Sequence, residues 1–195
     1  MISNPKKSIY NLPNSLTLFR IACVPLVVVL LFFSGKTSSF LAALLFGLAT
    51  LTDLLDGFLA RRRQLVTTFG EFLDPLADKL IVSAALIMLI PLDRVPAWMV
   101  VVIVGRELAI TGLRGVAVSE GTTIKASYLG KKKMVFQTVA VLGLLFHYEY
   151  FGVNCHAVGM FFMWLAVIVT LWSGFIYFRS FWHVLEEDEE GSTGS

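Results

Sequence analysis

The 195-residue chain is 56% hydrophobic and only 15% charged, with a mean hydropathy of +0.76. A soluble domain carries about 25% charged residues, so this composition excludes an ordinary soluble fold and points to an all-α, polytopic membrane domain. The net charge of +2 gives no reason to expect a nucleic-acid partner, and two distant cysteines, Cys23 and Cys155, argue against a disulfide framework or a zinc site.

The N-terminus is basic at Lys6 and Lys7 but shows no small-residue cleavage site, so the first apolar run reads as a retained helix. A membrane-spanning helix needs about 20 largely apolar residues. Six segments fit: about 16–33, 40–59, 72–90, 97–116, 134–146 and 157–177. Turn residues divide them, with Ser34 to Lys36 after the first and Pro91 to Pro96 after the third. A polar, aromatic-bordered stretch, His147 to His156, joins the last two, and its histidines read as isolated interfacial groups. The bundle is expected over 1–185. The acidic, then Gly/Ser-rich, residues 186–195 are expected to form a disordered tail.

Lys and Arg in short loops set orientation. Lys6, Lys7, Arg61 to Arg63, Lys125, Lys131 to Lys133 and Arg179 fall on one side, and only Lys36 and Arg94 on the other. Six spans with this bias place both termini in the cytoplasm, in the cytoplasmic (inner) membrane. The polar ends of the second and third spans face the same way.

Those ends carry four aspartates, Asp53, Asp56, Asp74 and Asp78, beside long apolar runs. Clustered carboxylates there repel one another and lose hydration, so a bound cation is expected among them. Asp53 and Asp56 are one turn apart, as are Gly70, Asp74 and Asp78 in succession. A short link from Arg61 to Phe69 makes the two helices antiparallel neighbours, so that two carboxylates from each converge on one wet pocket. Hard oxygen ligands suit Mg²⁺, which keeps waters or substrate phosphates in its shell. Gly57, Ala60 and Gly70 leave room for a phosphate or nucleotide against the backbone, and Arg61 can neutralise its oxygens. Two plainer readings are an ion-pair network with Arg61 to Arg63 and a divalent-cation carrier. A carrier needs acidic residues along a continuous path, yet the remaining spans hold only Glu107.

The pattern D-x2-D-G-x2-A-R-x8-G-x3-D-x3-D runs from Asp53 to Asp78 without departure. It resembles the signature of the CDP-alcohol phosphatidyltransferase family. The resemblance implies six membrane helices, a homodimer, an active site open to the cytoplasm, and Mg²⁺ or Mn²⁺ as cofactor. It implies Asp53, Asp56, Asp74 and Asp78 at the metal, with Asp78 also the general base. Gly57, Ala60, Arg61 and Gly70 then match the positions around the cytidine diphosphate of a CDP-diacylglycerol donor. Asn14 and Thr17, three apart on the first helix, are expected at the nucleotide or in interhelical hydrogen bonds.

P-N-S-L-T-L-F-R (Pro13 to Arg20), G-R-E-L-A-I-T-G-L-R (Gly105 to Arg114) and L-G-K-K-K-M-V-F-Q (Leu129 to Gln137) extend the resemblance to the branch that uses sn-glycerol 3-phosphate. Met134 stands where that branch often has Thr. The last span is similar only as a generic apolar helix. Arg106 within a span is costly unless it meets an anion or Glu107. Arg106 and Arg114, eight residues apart, share a face and suit an acceptor phosphate together with Lys131 and Lys133; the lysines also suit anionic lipid at the membrane surface. Inositol phosphate, serine, choline and phosphatidylglycerol remain alternative acceptors.

Overall fold

The computed structural model describes the backbone of residues 12–33, 35–63, 68–119 and 128–193, and within these the side chains of 15–33, 35–52, 73, 76–116, 130 and 132–179. Six helices are present: α1 (Leu12–Phe32), α2 (Lys36–Arg63), α3 (Thr68–Leu89), α4 (Ala97–Ser119), α5 (Tyr128–Phe146) and α6 (Cys155–Thr193). Each contains one expected apolar segment, and most outrun it at the end where the basic residues gather. Arg61 to Arg63 therefore belong to the last turn of α2, and the link to α3 is shorter than expected. The helix persists because Leu, Ala and Arg are good helix formers.

A second difference lies in the acidic stretch. Glu186 to Glu190 continue the α6 backbone, which ends only at Thr193, rather than forming a disordered tail. Glu has high helix propensity, and extension of an existing helix avoids the nucleation penalty.

The core is the apolar inner face of the bundle. Phe46 on α2, Ile81, Leu86 and Leu89 on α3, Met99 and Ile103 on α4, and Leu144 on α5 are all fully buried. α1 packs on both α2 and α3, α5 on α6 and α2, and α4 on α6. The α5–α6 contact is the closest. A Cβ at Gly143 would lie 2.7 Å from the Gly159 Cα, and one at Gly159 would lie 2.7 Å from the Leu144 nitrogen. Glycine at both positions lets the two backbones touch, as in membrane helix pairs.

The outer surface is apolar too. Val101 and Leu108 on α4 and Phe161, Ile168, Trp172 and Phe175 on α6 are exposed at helical spacing. Water does not favour such a stripe, whereas lipid does. Among the described residues, Ser15–Phe32 and Cys155–Arg179 are long and apolar enough to cross a membrane.

Opposite the basic end, the loops are tightly built. A two-residue hairpin pairs β1 (Glu149–Tyr150) with β2 (Val153–Asn154), turning through Phe151 and Gly152 at positive φ. Positive φ at both central residues gives the turn that matches strand twist. Arg94 is buried, not a solvated loop charge. Its guanidinium donates to the Ser39 hydroxyl at 2.7 Å and to the Leu145 carbonyl at 3.1 Å, tying the α3–α4 turn to α2 and to the end of α5. His147 and His156 are not isolated from each other either: their Nδ1 atoms are 3.3 Å apart.

Candidate active site

At the basic end, α3, α4, α5 and α6 enclose an open cavity of about 230 Å³. α3 contributes Asp78, Lys79 and Ser83, and α4 contributes Arg106, Glu107 and Arg114. Lys133, Gln137 and Thr138 come from α5, and Tyr177 from α6. Helical spacing accounts for much of this. Asp78 and Ser83 look inward on α3 while Leu80, between them, is exposed. On α5, Lys133 and Gln137 are one turn apart and both buried.

The charged groups are ordered by mutual hydrogen bonds. Glu107 accepts from Arg106 Nη1 at 2.8 Å and also from the Lys133 ammonium. Arg106 Nη2 donates to the Ser173 hydroxyl at 3.0 Å, and Arg114 Nε donates to the Tyr177 hydroxyl at 3.2 Å. The Arg114 guanidinium also lies 5.4 Å from the Tyr177 ring centre. Lys79 donates to Thr111, whose hydroxyl donates to the Glu107 carbonyl at 2.7 Å. The described lining thus holds four cations, Lys79, Arg106, Arg114 and Lys133, against two carboxylates, Asp78 and Glu107. That excess of two positive charges complements a phosphate monoester, which carries about −1.5 to −2 near pH 7.

Of the residues singled out in the sequence, Asp78, Arg106, Arg114 and Lys133 meet at this cavity. Thr17 is buried on α1, as is Arg20, and neither is among the residues lining this cavity. Asp53, Asp56, Gly57, Ala60 and Arg61 lie on the α2 backbone, and Gly70 and Asp74 on α3 two turns and one turn before Asp78. Their side chains, with those of Asn14 and Lys131, lie outside the described residues. For a divalent cation, the fit rests on the donor set: Asp74 and Asp78 sit on adjacent turns of the α3 backbone, and Asp78 lines the cavity.

Sequence reasoning missed Lys79, Ser83, Gln137, Thr138, Ser173 and Tyr177. A signal for the last two existed: Thr170, Ser173, Gly174 and Tyr177 fall at three- and four-residue spacing in an otherwise apolar helix.

The CDP-alcohol phosphatidyltransferase family model matches residues 10–172. The chain is 43% identical over 189 residues to the CDP-diacylglycerol–glycerol-3-phosphate 3-phosphatidyltransferase of Bacillus subtilis strain 168, covering 91% of this chain and 98% of that protein. A Rickettsia typhi protein of the same name is 36% identical, covering 87% and 96%, and one from Pectobacterium atrosepticum is 34% identical, covering 91% and 98%. A match across most of the chain, with the unbroken Asp53 to Asp78 pattern inside it, shows that the chain belongs to the CDP-alcohol phosphatidyltransferase family.

Proposed function

We propose that the chain transfers the phosphatidyl group of CDP-diacylglycerol to sn-glycerol 3-phosphate, giving phosphatidylglycerophosphate and CMP. The observation that carries this reading is the cavity holding Asp78 together with Arg106, Arg114 and Lys133. Its surplus of positive charge favours a phosphorylated alcohol over serine or choline. The names of the relatives agree with it.

The arginines and Lys133 bind the acceptor phosphate, with Arg forks suited to phosphate oxygens. The free hydroxyl of the acceptor then points to Asp78. Its oxygen attacks the phosphorus that bears diacylglycerol, the bond to the bridging oxygen breaks, and CMP leaves with that electron pair. Asp78 takes the hydroxyl proton as the new bond forms. Transfer is direct. Asp53, Asp56, Asp74 and Asp78 would hold Mg²⁺ or Mn²⁺, which when bound would supply positive charge to the pyrophosphate and the leaving phosphate. Gly57, Ala60, Arg61 and Gly70, with Asn14, receive the nucleotide end of the donor, and Lys131 joins Lys133 at the acceptor side; Thr17, fully buried on α1, is left out of that contact.

In the same reading the 1–185 bundle crosses the cytoplasmic membrane six times as a homodimer. Both termini and the cavity face the cytoplasm, where glycerol 3-phosphate is dissolved. The apolar outer stripes and the one-sided Lys and Arg support this placement.

An acceptor panel tests the proposal. Purified protein with CDP-diacylglycerol and Mg²⁺ is expected to release CMP with glycerol 3-phosphate at least tenfold faster than with serine, glycerol or inositol phosphate. EDTA stops release, and Mg²⁺ or Mn²⁺ restores it. Equal rates with glycerol would remove the phosphate-site assignment, and no CMP with any acceptor would leave a cation carrier as the better reading.

A further inference from the structure

The family match ends at residue 172, and the stretch of α6 just beyond it touches both arginines. Ser173 and Tyr177 are one turn apart on α6, and both are buried. Ser173 receives Arg106 and Tyr177 receives Arg114. We propose that these two α6 hydroxyls are positioning residues that hold the paired arginines for the phosphate of the acceptor. The inference rests on the reading of this cavity as the acceptor-phosphate site.

Three features carry it. The first is convergence. Arg106 and Arg114 leave α4 two turns apart, about 12 Å along the axis, whereas their holders on α6 are one turn apart, about 6 Å. Both arginines nonetheless line one cavity, so the hydroxyls draw the guanidinium heads together.

The second is polarity. The Ser173 hydroxyl donates to the Thr170 carbonyl at 3.1 Å. Its single proton is therefore used within α6, and its lone pairs are turned to Arg106. Tyr177 likewise accepts from Arg114. A neutral acceptor fixes an arginine without cancelling its charge. Glu107 orients Arg106 too, but as an anion shared with Lys133. The hydroxyls orient both arginines and leave the surplus positive charge for the incoming dianion.

The third is space. Gly174 lies against the Arg106 stem, where a Cβ would come within 3.4 Å of the Arg106 Cγ. The α6 surface is thus grooved where Arg106 passes and bears hydroxyls on either side of the groove. Arg106 Nε is buried beside this groove without a protein partner among the described residues.

Ser173→Ala, Tyr177→Phe and the double variant test the inference, since each removes a hydroxyl and keeps the apolar bulk. The KM for glycerol 3-phosphate is expected to rise about five- to twentyfold for each, at or below the lower end of what one hydrogen bond to a charged group is worth. The KM for CDP-diacylglycerol should move less than about twofold, and Ser173→Thr, which retains the hydroxyl, should restore the acceptor KM. Equal changes in both KM values, or a lowered unfolding temperature with unchanged acceptor KM, would overturn the inference, because a merely structural link behaves that way. Arg106→Ala and Arg114→Ala run in parallel separate the two levels. If the arginine variants leave the acceptor KM unchanged, the phosphate-site reading itself falls. If they raise it and the hydroxyl variants do not, only the positioning role of α6 falls.

Discussion

Asp78 and Arg94 show how differently one charge can be used at the two ends of the bundle. Asp78 faces an open cavity, partly exposed, where a carboxylate can exchange a proton. Asp78→Asn keeps the shape and removes the base. Its kcat is expected to fall about 10²–10⁴-fold, with CDP-diacylglycerol binding, measured by equilibrium titration, largely kept; full turnover would remove Asp78 as base. Arg94 is sealed in and hydrogen-bonded to the end of α5. Arg94→Met would strand the Leu145 carbonyl and the Ser39 hydroxyl, costing about 1.5–3 kcal/mol. A lowered thermal midpoint in detergent, with the KM values unchanged, is the expected result. The spacing of the aspartates was legible in the sequence because a helix repeats locally. The role of Arg94 was not: it was read as a loop charge, and its partner Ser39 is 55 residues away. Ser173 is likewise 67 residues from Arg106, beyond the reach of any local periodicity.

At the scale of elements, all six helices were legible, because each is built on a long apolar run bounded by turn residues. Their ends were less so. Apolar length does not register where a polar helix continues, as α2 does through Arg63 and α6 does through Glu190. The α5–α6 contact was hidden as well, since Gly143 and Gly159 acquire meaning only when the two backbones meet. Gly143→Val places side-chain atoms where the α6 backbone lies. It should destabilise the fold by about 1–3 kcal/mol, read as a lower unfolding temperature, whereas Gly112→Ala, which meets nothing within 4 Å, should be neutral. The hairpin beside this contact carries a pH dependence. Burial, then Arg94, then His156 hold His147 below the ordinary histidine value. The unfolded chain therefore takes up that proton first. Stability is complete above about pH 6.5 and falls as pH drops below it. Thermal midpoints between about pH 8 and 5 should show this slope, and His147→Gln should flatten it; an unchanged slope in that variant would assign it elsewhere.

For the molecule as a whole, the two ends divide the work. One end is closed by Arg94, the histidine pair and the hairpin. The other is open and, among the described residues, carries a surplus of cations around Asp78. That gathering of cations at one end follows the asymmetric Lys and Arg of the sequence. The central claim is that this open end joins glycerol 3-phosphate to a phosphatidyl group. The most direct measurement follows ³²P-labelled glycerol 3-phosphate into the organic phase with purified protein, CDP-diacylglycerol and Mg²⁺, while counting CMP. The account predicts one label in lipid per CMP released, removable by a phosphomonoesterase because the acceptor phosphate stays terminal. CMP release without label in lipid, or label that a phosphomonoesterase cannot remove, would contradict it.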